Sequence, residues 1–297
     1  MFKLFFKREK KHRKRTFLMK HFYIHTLKKD FKKAMGVYPD LENPKTFSEK
    51  IQWLKLHYRD PIMTDCVDKF KVRGIVADII GQEHIIPTYG IYKHSDEIKL
   101  SDLPNEFVLK PNHMSNKVIV CTDKELLDWE EASSLLDTWM GENYYYLAGE
   151  WVYKDIPPRI ICEKFLHGKI IDYKFFCFHG VPKLINIMTD YKMGDRLYQE
   201  AFYDMDFRLL PISQKAKSCN ETFPMPPHFE EMKAIARKLS ENFPFVRVDL
   251  YDIEDQVYFG ELTFFPANGM EPFYSPEYDY QLGDMLDLDK CNNNFLI

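Results

Sequence analysis

Three charged residues stand where the pattern calls for apolar ones. Phe245-Val-Arg-Val-Asp-Leu-Tyr251 and Val257-Tyr-Phe-Gly-Glu-Leu-Thr-Phe264 are runs of β-branched and aromatic residues. Asp252-Ile-Glu-Asp-Gln256 between them reads as the turn of a β-hairpin. Arg247, Asp249 and Glu261 lie inside these runs, and burying a charge is costly unless it is paired or bound to an ion. Period-2 alternation puts Arg247 and Asp249 on one strand face, and a hairpin can bring Glu261 opposite them. Two carboxylates and a guanidinium then converge, as a divalent cation and a phosphate group require. A purely structural Arg–carboxylate pair on a packed sheet is the competing reading of the same residues.

Further polar groups sit in similar places. Glu106-Phe-Val-Leu-Lys110 and Val118-Ile-Val-Cys121 read as strands joined by the loop Pro111-Asn-His-Met-Ser-Asn-Lys117. That loop is basic and polar and could fold over an anion, but it has no glycine. Asp172 and Lys174 share one face of the strand Ile170–Phe178. His113, His167 and His179 read as structural or surface-turn residues. There is no Gly-x-Ser-x-Gly elbow and no Cys/His pair in a nucleophile's context.

The elements that must position these groups follow from periodicity and punctuation. A helix is expected over 16–36, ending near Gly36, and a capped helix over 47–57, where a Ser or Thr cap and Glu49 precede Ile51, Trp53 and Leu54. Another runs from Asp68 to Ile80, stopped by Gly81. Residues 85–92 are extended, 124–140 form an amphipathic helix, and 141–158 form an aromatic connector ending in Pro157-Pro158. Strands follow at 159–166, 170–178 and 182–188. A strand-turn follows at 202–206, and a helix over about 227–242 leads into the hairpin. Antiparallel strands with interspersed helices behind a helical N-terminal cap make an α+β fold.

Composition limits the alternatives. At 297 residues, 45% hydrophobic and 15% aromatic, the chain is globular and long enough for a large core. Six cysteines without a CxxC pair, several inside apolar runs, read as reduced core residues of a cytosolic protein. No apolar run is long enough to cross a membrane, and the start lacks a signal peptide's long apolar core. The net charge of −4 conceals an asymmetry: residues 1–33 carry +11, leaving −15 for the remainder. A basic arm interleaved with Phe2, Leu4, Phe5, Phe6, Phe17 and Phe22 suits an anionic membrane surface. The acidic remainder argues against a nucleic-acid partner. The protein is expected in the cytoplasm, peripheral at the inner face of the membrane.

The order of these pieces resembles the ATP-grasp superfamily, and within it the TupA-like, teichuronopeptide-biosynthesis branch. Asn43-Pro-Lys-Thr-Phe-Ser-Glu-Lys-Ile-Gln-Trp-Leu-Lys55 and Asp68-Lys-Phe-Lys-Val-Arg73 carry the narrow resemblance. Val108-Leu-Lys-Pro-Asn-His113, Ile161-Cys-Glu-Lys-Phe-Leu166, Val246-Arg-Val-Asp-Leu250 and Gly260-Glu-Leu-Thr-Phe-Phe-Pro-Ala-Asn-Gly269 carry the broader one. It covers roughly 40–275 and implies an arm at 1–35, a helical region at 36–105, the nucleotide-binding and catalytic region at 106–285, and a tail at 286–297. It also implies ATP and Mg²⁺. Arg73 and Lys110 would bind phosphates, under a flap at 112–117 that includes Ser115, Asn116 and Lys117. The segment Glu163, Lys164, Phe165, Leu166 would be the adenine hinge, acting through backbone groups of Lys164 and Leu166. Lys174 would contact phosphate, Arg247 would stabilise the transferring γ-phosphate, and Asp249 and Glu261 would hold the metal. The usual Glu-x-Asn metal pair reads Glu261-Leu-Thr263, which leaves Thr263, Asn268 or water as the remaining ligand.

The implied activity is ATP-dependent ligation of a carboxylate to an amine through an acyl phosphate. The resemblance points to an acidic cell-surface or capsular polysaccharide as acceptor and an amino acid or amine as co-substrate. Arg159, Lys192, Arg196 and the turn 269–274 are candidate acceptor contacts. Two alternatives stand beside this reading: a glycosyltransferase of the same pathway, and a non-catalytic membrane-surface module of the assembly complex. The only Asp-x-Asp suited to a glycosyltransferase, Asp204-Met-Asp206, reads as a turn, and a non-catalytic module has no need of buried Lys110, Arg247, Asp249 and Glu261.

Overall fold

The computed structural model describes residues 13–189, 199–214 and 222–297. Lys192, Arg196, Cys219 and the first twelve residues of the basic arm lie outside them. The expected 16–36 helix is two: a segment over 13–21 and α1 (Tyr23–Met35), separated at Phe22 (φ −139°, ψ 43°). Gly36 closes α1 in the left-handed conformation that a helix end favours (φ 82°). In α2 (Phe47–His57), Thr46 and Glu49 form the expected capping box. The following α3 (Ile62–Val67) and α4 (Val72–Ile80) are joined by a turn. The expected helix starts four residues late because the Asp68 carboxylate accepts from the Phe70 N–H and holds that turn.

Four strands, β1 (Thr88–Tyr92), β2 (Phe107–Pro111), β3 (Ile119–Cys121) and β4 (Ile160–Lys164), make a sheet of order β1-β4-β2-β3. Between β3 and β4 run α5 (Trp129–Met140) and α6 (Tyr144–Ala148), so the expected connector is partly helical. Phe107, Leu109, Ile160 and Cys162 turn one face of this sheet onto Leu136 and Trp139 of α5.

Six strands form the second sheet: β5 (Ile171–Phe178), β6 (Val181–Thr189), β7 (Gln199–Asp204), β8 (Leu209–Leu210), β9 (Phe245–Ile253) and β10 (Gln256–Thr263). Its order is β10-β9-β5-β6-β7-β8 and every pair is antiparallel. Glu254 and Asp255 make the hairpin turn with φ of 54° and 61°, the positive values a tight two-residue turn demands. One face packs on α7 (Phe229–Ser240), where Phe229 stacks on Phe175. The other meets α2, where Phe47 lies edge-on to Phe245 at 4.9 Å.

The C-terminal α8 (Pro276–Met285) has no counterpart in the sequence reading. Its Asp279 accepts from Ser48 N and Oγ at 2.8 and 3.0 Å, tying it to the start of α2. Cys66, Cys121, Cys162, Cys177 and Cys291 are all buried and free. No described helix is long and apolar enough to cross a membrane.

Candidate active site

Two charged walls face one cleft. The first is built on β2, β4 and the α3–α4 turn. Register pairs Lys110 with Ile161 and Val108 with Glu163, and antiparallel partners project to the same side, so Lys110 and Glu163 share a face. Glu163 is buried and accepts Lys110 Nζ at 2.5 Å and Arg73 Nη1 at 2.8 Å, one on each oxygen. Arg73 Nη2 also donates to the Ile86 carbonyl. Lys69 Nζ donates to the Met114 carbonyl at 2.7 Å, and burial pushes the pKa values of both Lys69 and Arg73 down. Two cations on one carboxylate, with Lys69 nearby, leave this wall formally positive and ready for an anion.

The second wall is the open face of β5, β9 and β10. Lys174 pairs with Asp249, Asp249 with Glu261, and Arg247 with Thr263. Glu261 reaches this row through a β-bulge. Phe259 opposes Leu250 and Glu261 opposes Asp249, so Gly260 is the extra residue. In an unbroken register Gly260 would oppose Asp249, and Glu261 would oppose Val248 and point toward α7. A Cβ on Gly260 would lie 3.0 Å from the Asp249 carbonyl and 3.1 Å from the Tyr251 ring, which explains the glycine.

The Arg247 guanidinium makes a fork on Asp249, with Nε and Nη2 each 2.7 Å from an oxygen. Lys174 Nζ adds a third bond at 3.0 Å. Arg247 Nη2 also reaches Glu261 Oε1 at 3.1 Å and Thr263 Oγ1 at 3.2 Å, while Thr263 Oγ1 donates to Glu261 Oε1 at 2.9 Å. Burial alone would raise the Asp249 carboxyl, but Arg247 and then Lys174 outweigh it and hold the pKa below the usual carboxylate value. The reciprocal attraction, again against burial, raises Arg247 and Lys174.

A narrow cleft opens between the walls. Lys69, Arg73, Lys110 and Glu163 line one side and residues 259–262 another, with Cys66 and Tyr153 also on the lining. The Asp249 and Glu261 carboxylates suit Mg²⁺. Glu261 is 39% exposed, and among the described residues nothing donates to its Oε2. No described cluster holds three or more His, Cys, Asp or Glu ligands, so phosphate oxygens and water would complete the shell, as is common for Mg²⁺.

Asn268, the other proposed metal ligand, has a partner already. Its side-chain and backbone oxygens both accept from the buried Lys55 ammonium, and Gln52 Nε2 donates to the Asn268 and Gly269 carbonyls at 2.8 and 3.0 Å. Ala267, Asn268 and Gly269 are consecutive left-handed residues (φ 46°, 61° and 63°), a strained turn held by α2. Gly269 is required there, because a Cβ would come within 2.5 Å of Gln52 Nε2.

The flap solves its missing glycine with Asn116, exposed at φ 56°, a conformation Asn tolerates better than most residues. Ser115 is half-buried beside Tyr144, and Lys117 Nζ lies 5.4 Å from the centre of the Trp139 ring. Buried Asn112 anchors the base of the flap, donating to Asp68 Oδ1 and the Pro157 carbonyl and accepting from Arg159 N–H. In the hinge segment Lys164 N–H donates to the Pro87 carbonyl, its ammonium pairs with Glu254, and Leu166 is buried beside Ile253 and Tyr258. Phe165 stands edge-on to His167 at 5.2 Å. Arg159 stacks its guanidinium over Phe70, at 5.1 Å, and is absent from the cleft lining. His113 bridges Asn112 Oδ1 and the Glu142 carbonyl, and His179 Nε2 accepts from Asp287 N–H, both structural contacts.

Two residues of this region escaped the sequence reading. Lys69 lies four positions before Arg73, a spacing that puts both on one side of a helical turn and could have singled it out. Glu150, on the connector, is 5% exposed and electrostatically coupled to Lys55, Glu261 and Arg247. Nothing in its local sequence marks it.

The model of the TupA-like ATP-grasp family matches residues 49–287. Among solved structures the chain is similar to the ATP-grasp ligase PsnB in complex with a minimal precursor, at 11% identity and a TM-score of 0.43, covering 77% of this chain and 62% of that one. It is similar also to an L-amino acid ligase from Bacillus licheniformis, at 15% identity and a TM-score of 0.43 over 69% of this chain and 44% of that one. A D-alanine–D-alanine ligase from Bacillus anthracis complexed with ATP gives 17% identity and a TM-score of 0.42, over 74% and 64%. The chain thus spans less than two thirds of each. No curated protein matches its sequence.

Proposed function

The chain belongs to the TupA-like ATP-grasp family, and from that premise we propose that it is an ATP-dependent, ADP-forming carboxylate–amine ligase. The observation that supports this most directly is the pairing of unlike groups across one cleft, Lys69, Arg73 and Lys110 on one side and Glu261 on the other, with the buried Asp249 opposite Glu261 on the neighbouring strand. In this reading the γ-phosphate passes to an acceptor carboxylate, and an amine then displaces phosphate from the acyl phosphate. Lys69, Lys110 and Arg73 bind the triphosphate, and Glu163 neutralises part of the charge of two of them until phosphate oxygens compete for it. Lys174 and Arg247 lie where they can meet the transferring group, their charge held by Asp249 until phosphate oxygens compete for it. Mg²⁺ on Asp249 and Glu261 would neutralise phosphate charge.

The acceptor, on this reading, is an acidic cell-surface or capsular polysaccharide, met at the inner membrane face. The two N-terminal helices support membrane attachment: Phe17, Phe22 and Ile24 are each more than half exposed, among Arg13, Lys14, Lys20, Lys28 and Lys29. Met19, Leu27 and Phe31 face inward and are buried. Replacing Phe17, Phe22 and Ile24 by Asp together is expected to abolish co-sedimentation with anionic phospholipid vesicles, and undiminished partition would remove the membrane reading.

The deciding assay is ADP and phosphate release from ATP–Mg²⁺ with a panel of uronic-acid glycans and amines, run beside Glu261→Ala. Release that requires both an acid and an amine, and is lost in the variant, is the expected result. Failure to bind ATP in calorimetry would overturn the reading.

A further inference from the structure

Two faces of the N-terminal helices meet different surroundings. The outer face presents Phe17, Phe22 and Ile24, each more than half exposed, with the Phe17 and Phe22 rings 6.2 Å apart. The inner face grips the connector 141–158. Arg15 Nη2 donates to the Leu147 carbonyl at 3.2 Å, and Tyr23 Oη donates to the Gly149 carbonyl at 2.6 Å. The Tyr23 ring stacks on Tyr145 at 6.2 Å, and Lys20 Nζ lies 5.2 Å from the centre of the Tyr146 ring. A Cβ on Gly149 (φ 83°) would lie 2.9 Å from Met19 Cε, so the two surfaces are in close contact.

The connector in turn holds the base of the flap from both of its ends. His113 Nε2 donates to the Glu142 carbonyl at 3.2 Å, and Asn112 Nδ2 donates to the Pro157 carbonyl at 3.1 Å. Both flap residues are buried. Between these ends Tyr153 lines the cleft, its ring 4.9 Å from that of Tyr144 on α6. Contacts therefore run without a break from the outer helices through the connector to the flap and the cleft.

Contact alone transmits nothing; an element with two arrangements does. That element is the joint at Phe22. Its backbone leaves the helical region (φ −139°, ψ 43°), and no side chain caps α1 there. The grip is divided across the joint, with Arg15, Met19 and Lys20 on the helix over 13–21 and Tyr23 on α1. Arg15 Nη1 reaches back over it to Asp30 Oδ2 at 2.5 Å. Both donors meet the connector together only while the joint keeps this angle. A surface that takes up Phe17 from one helix and Ile24 from the other holds the angle from outside.

We propose that membrane docking and nucleotide binding reinforce each other along this chain of contacts. An anionic bilayer that takes up Phe17, Phe22 and Ile24 fixes the joint, the fixed joint holds the connector, and the held connector presents the flap to the ATP phosphates. The coupling rests on the membrane and ligase readings above. Its sign follows from conformational entropy: once one ligand has ordered the connector and flap, the other binds without that cost. Linkage makes the effect reciprocal.

The test is calorimetry of a non-hydrolysable ATP analogue with Mg²⁺ on the full chain. It is run without vesicles, with phosphatidylcholine vesicles, and with vesicles containing phosphatidylglycerol. Anionic vesicles are expected to tighten analogue binding about fivefold or more, and saturating analogue to tighten vesicle co-sedimentation by the same factor. Tyr23→Phe combined with Arg15→Gln removes both donors to the connector and leaves the outer apolar face intact. This pair is expected to co-sediment and to bind the analogue, with the mutual enhancement lost. Gly149→Ala disturbs the same contact from the connector side and is expected to uncouple in the same way. A parent that binds both without enhancement, or a paired variant that enhances as the parent does, would overturn the coupling alone. A parent that fails to co-sediment removes the membrane reading, and one that fails to bind the analogue removes the ligase reading; either result ends the coupling as well.

Discussion

The two walls of the cleft solve opposite electrostatic problems with the same residue types. On the four-stranded sheet, Lys110 and Arg73 share Glu163, with Lys69 nearby, so positive charge is in excess. On the six-stranded sheet, Arg247 and Lys174 meet Asp249, Glu261 and Asp172, so charge balances or turns negative. The first wall asks for an anion and the second can accept a cation once its own cations turn to phosphate. A charge cluster in a sheet is therefore informative through its imbalance. A balanced cluster alone would be compatible with a structural ion pair.

The comparison breaks first at Asp249. Asp249→Ala leaves Arg247 and Lys174 buried without a partner and should cost about 3–5 kcal/mol in urea unfolding. A loss below about 1 kcal/mol would mean that water reaches this cluster freely. Glu261→Gln should spare stability to within about 1 kcal/mol, because the side chain is partly exposed, while lowering ATP turnover at least about a hundredfold. Turnover near that of the parent would remove Glu261 from the metal site.

Glu163→Gln sharpens the contrast. Taking a carboxylate from the positive wall should leave ATP affinity unchanged or tighter, although Arg73 and Lys110 lose their shared partner. Lys110→Ala should weaken ATP binding about tenfold or more, measured by calorimetry. If Glu163→Gln weakened ATP as Lys110→Ala does, the two would act as one structural unit, and the first wall would not be an anion site. The smallest effect is expected at Lys164→Ala: this ammonium pairs with Glu254 at the surface, so about 0–1 kcal/mol is at stake and nucleotide affinity should hold.

The pH dependence has a definite sign. Asp249 has its folded pKa depressed below the unfolded value of ~3.9. Its contribution to stability is thus fully present above that unfolded value and is lost as pH falls through the folded one. Urea midpoints of the parent should decline in this acid range more steeply than those of Asp249→Asn. Parallel curves would show that other groups govern acid unfolding.

Much of this architecture was legible because it is local. The hairpin announces itself through alternation and turn chemistry, and the capped α2 through Thr46 and Glu49, where short-range hydrogen bonds fix the element. Arg247, Asp249 and Glu261 stood out because a charge within a strand pattern is conspicuous. What stayed hidden depends on partners distant in the chain. The Gly260 bulge decides which face Glu261 takes, yet a glycine in a strand announces neither a bulge nor its register. Lys55 looks like a solvent-facing helix lysine until Asn268, 213 residues away, closes over it. The carboxylate of Glu150 has an address only because the N-terminal helices grip the connector. The helix α8 was overlooked because its docking cue, Asp279 on Ser48, spans 231 residues.

Cys66 gives the cleft a chemical clock. It lies on the cleft lining, and burial first, then Asp60 and Asp65, push its thiol up to about 12. At neutral pH almost none of it is thiolate, so alkylating reagents meet an inert group while the α3–α4 junction stays closed. Reaction at that sulfur must wait for the junction to open, and its rate then counts opening events one by one. A ligand that bridges the two walls would slow that count, so the natural chain already carries a reporter of its own closure.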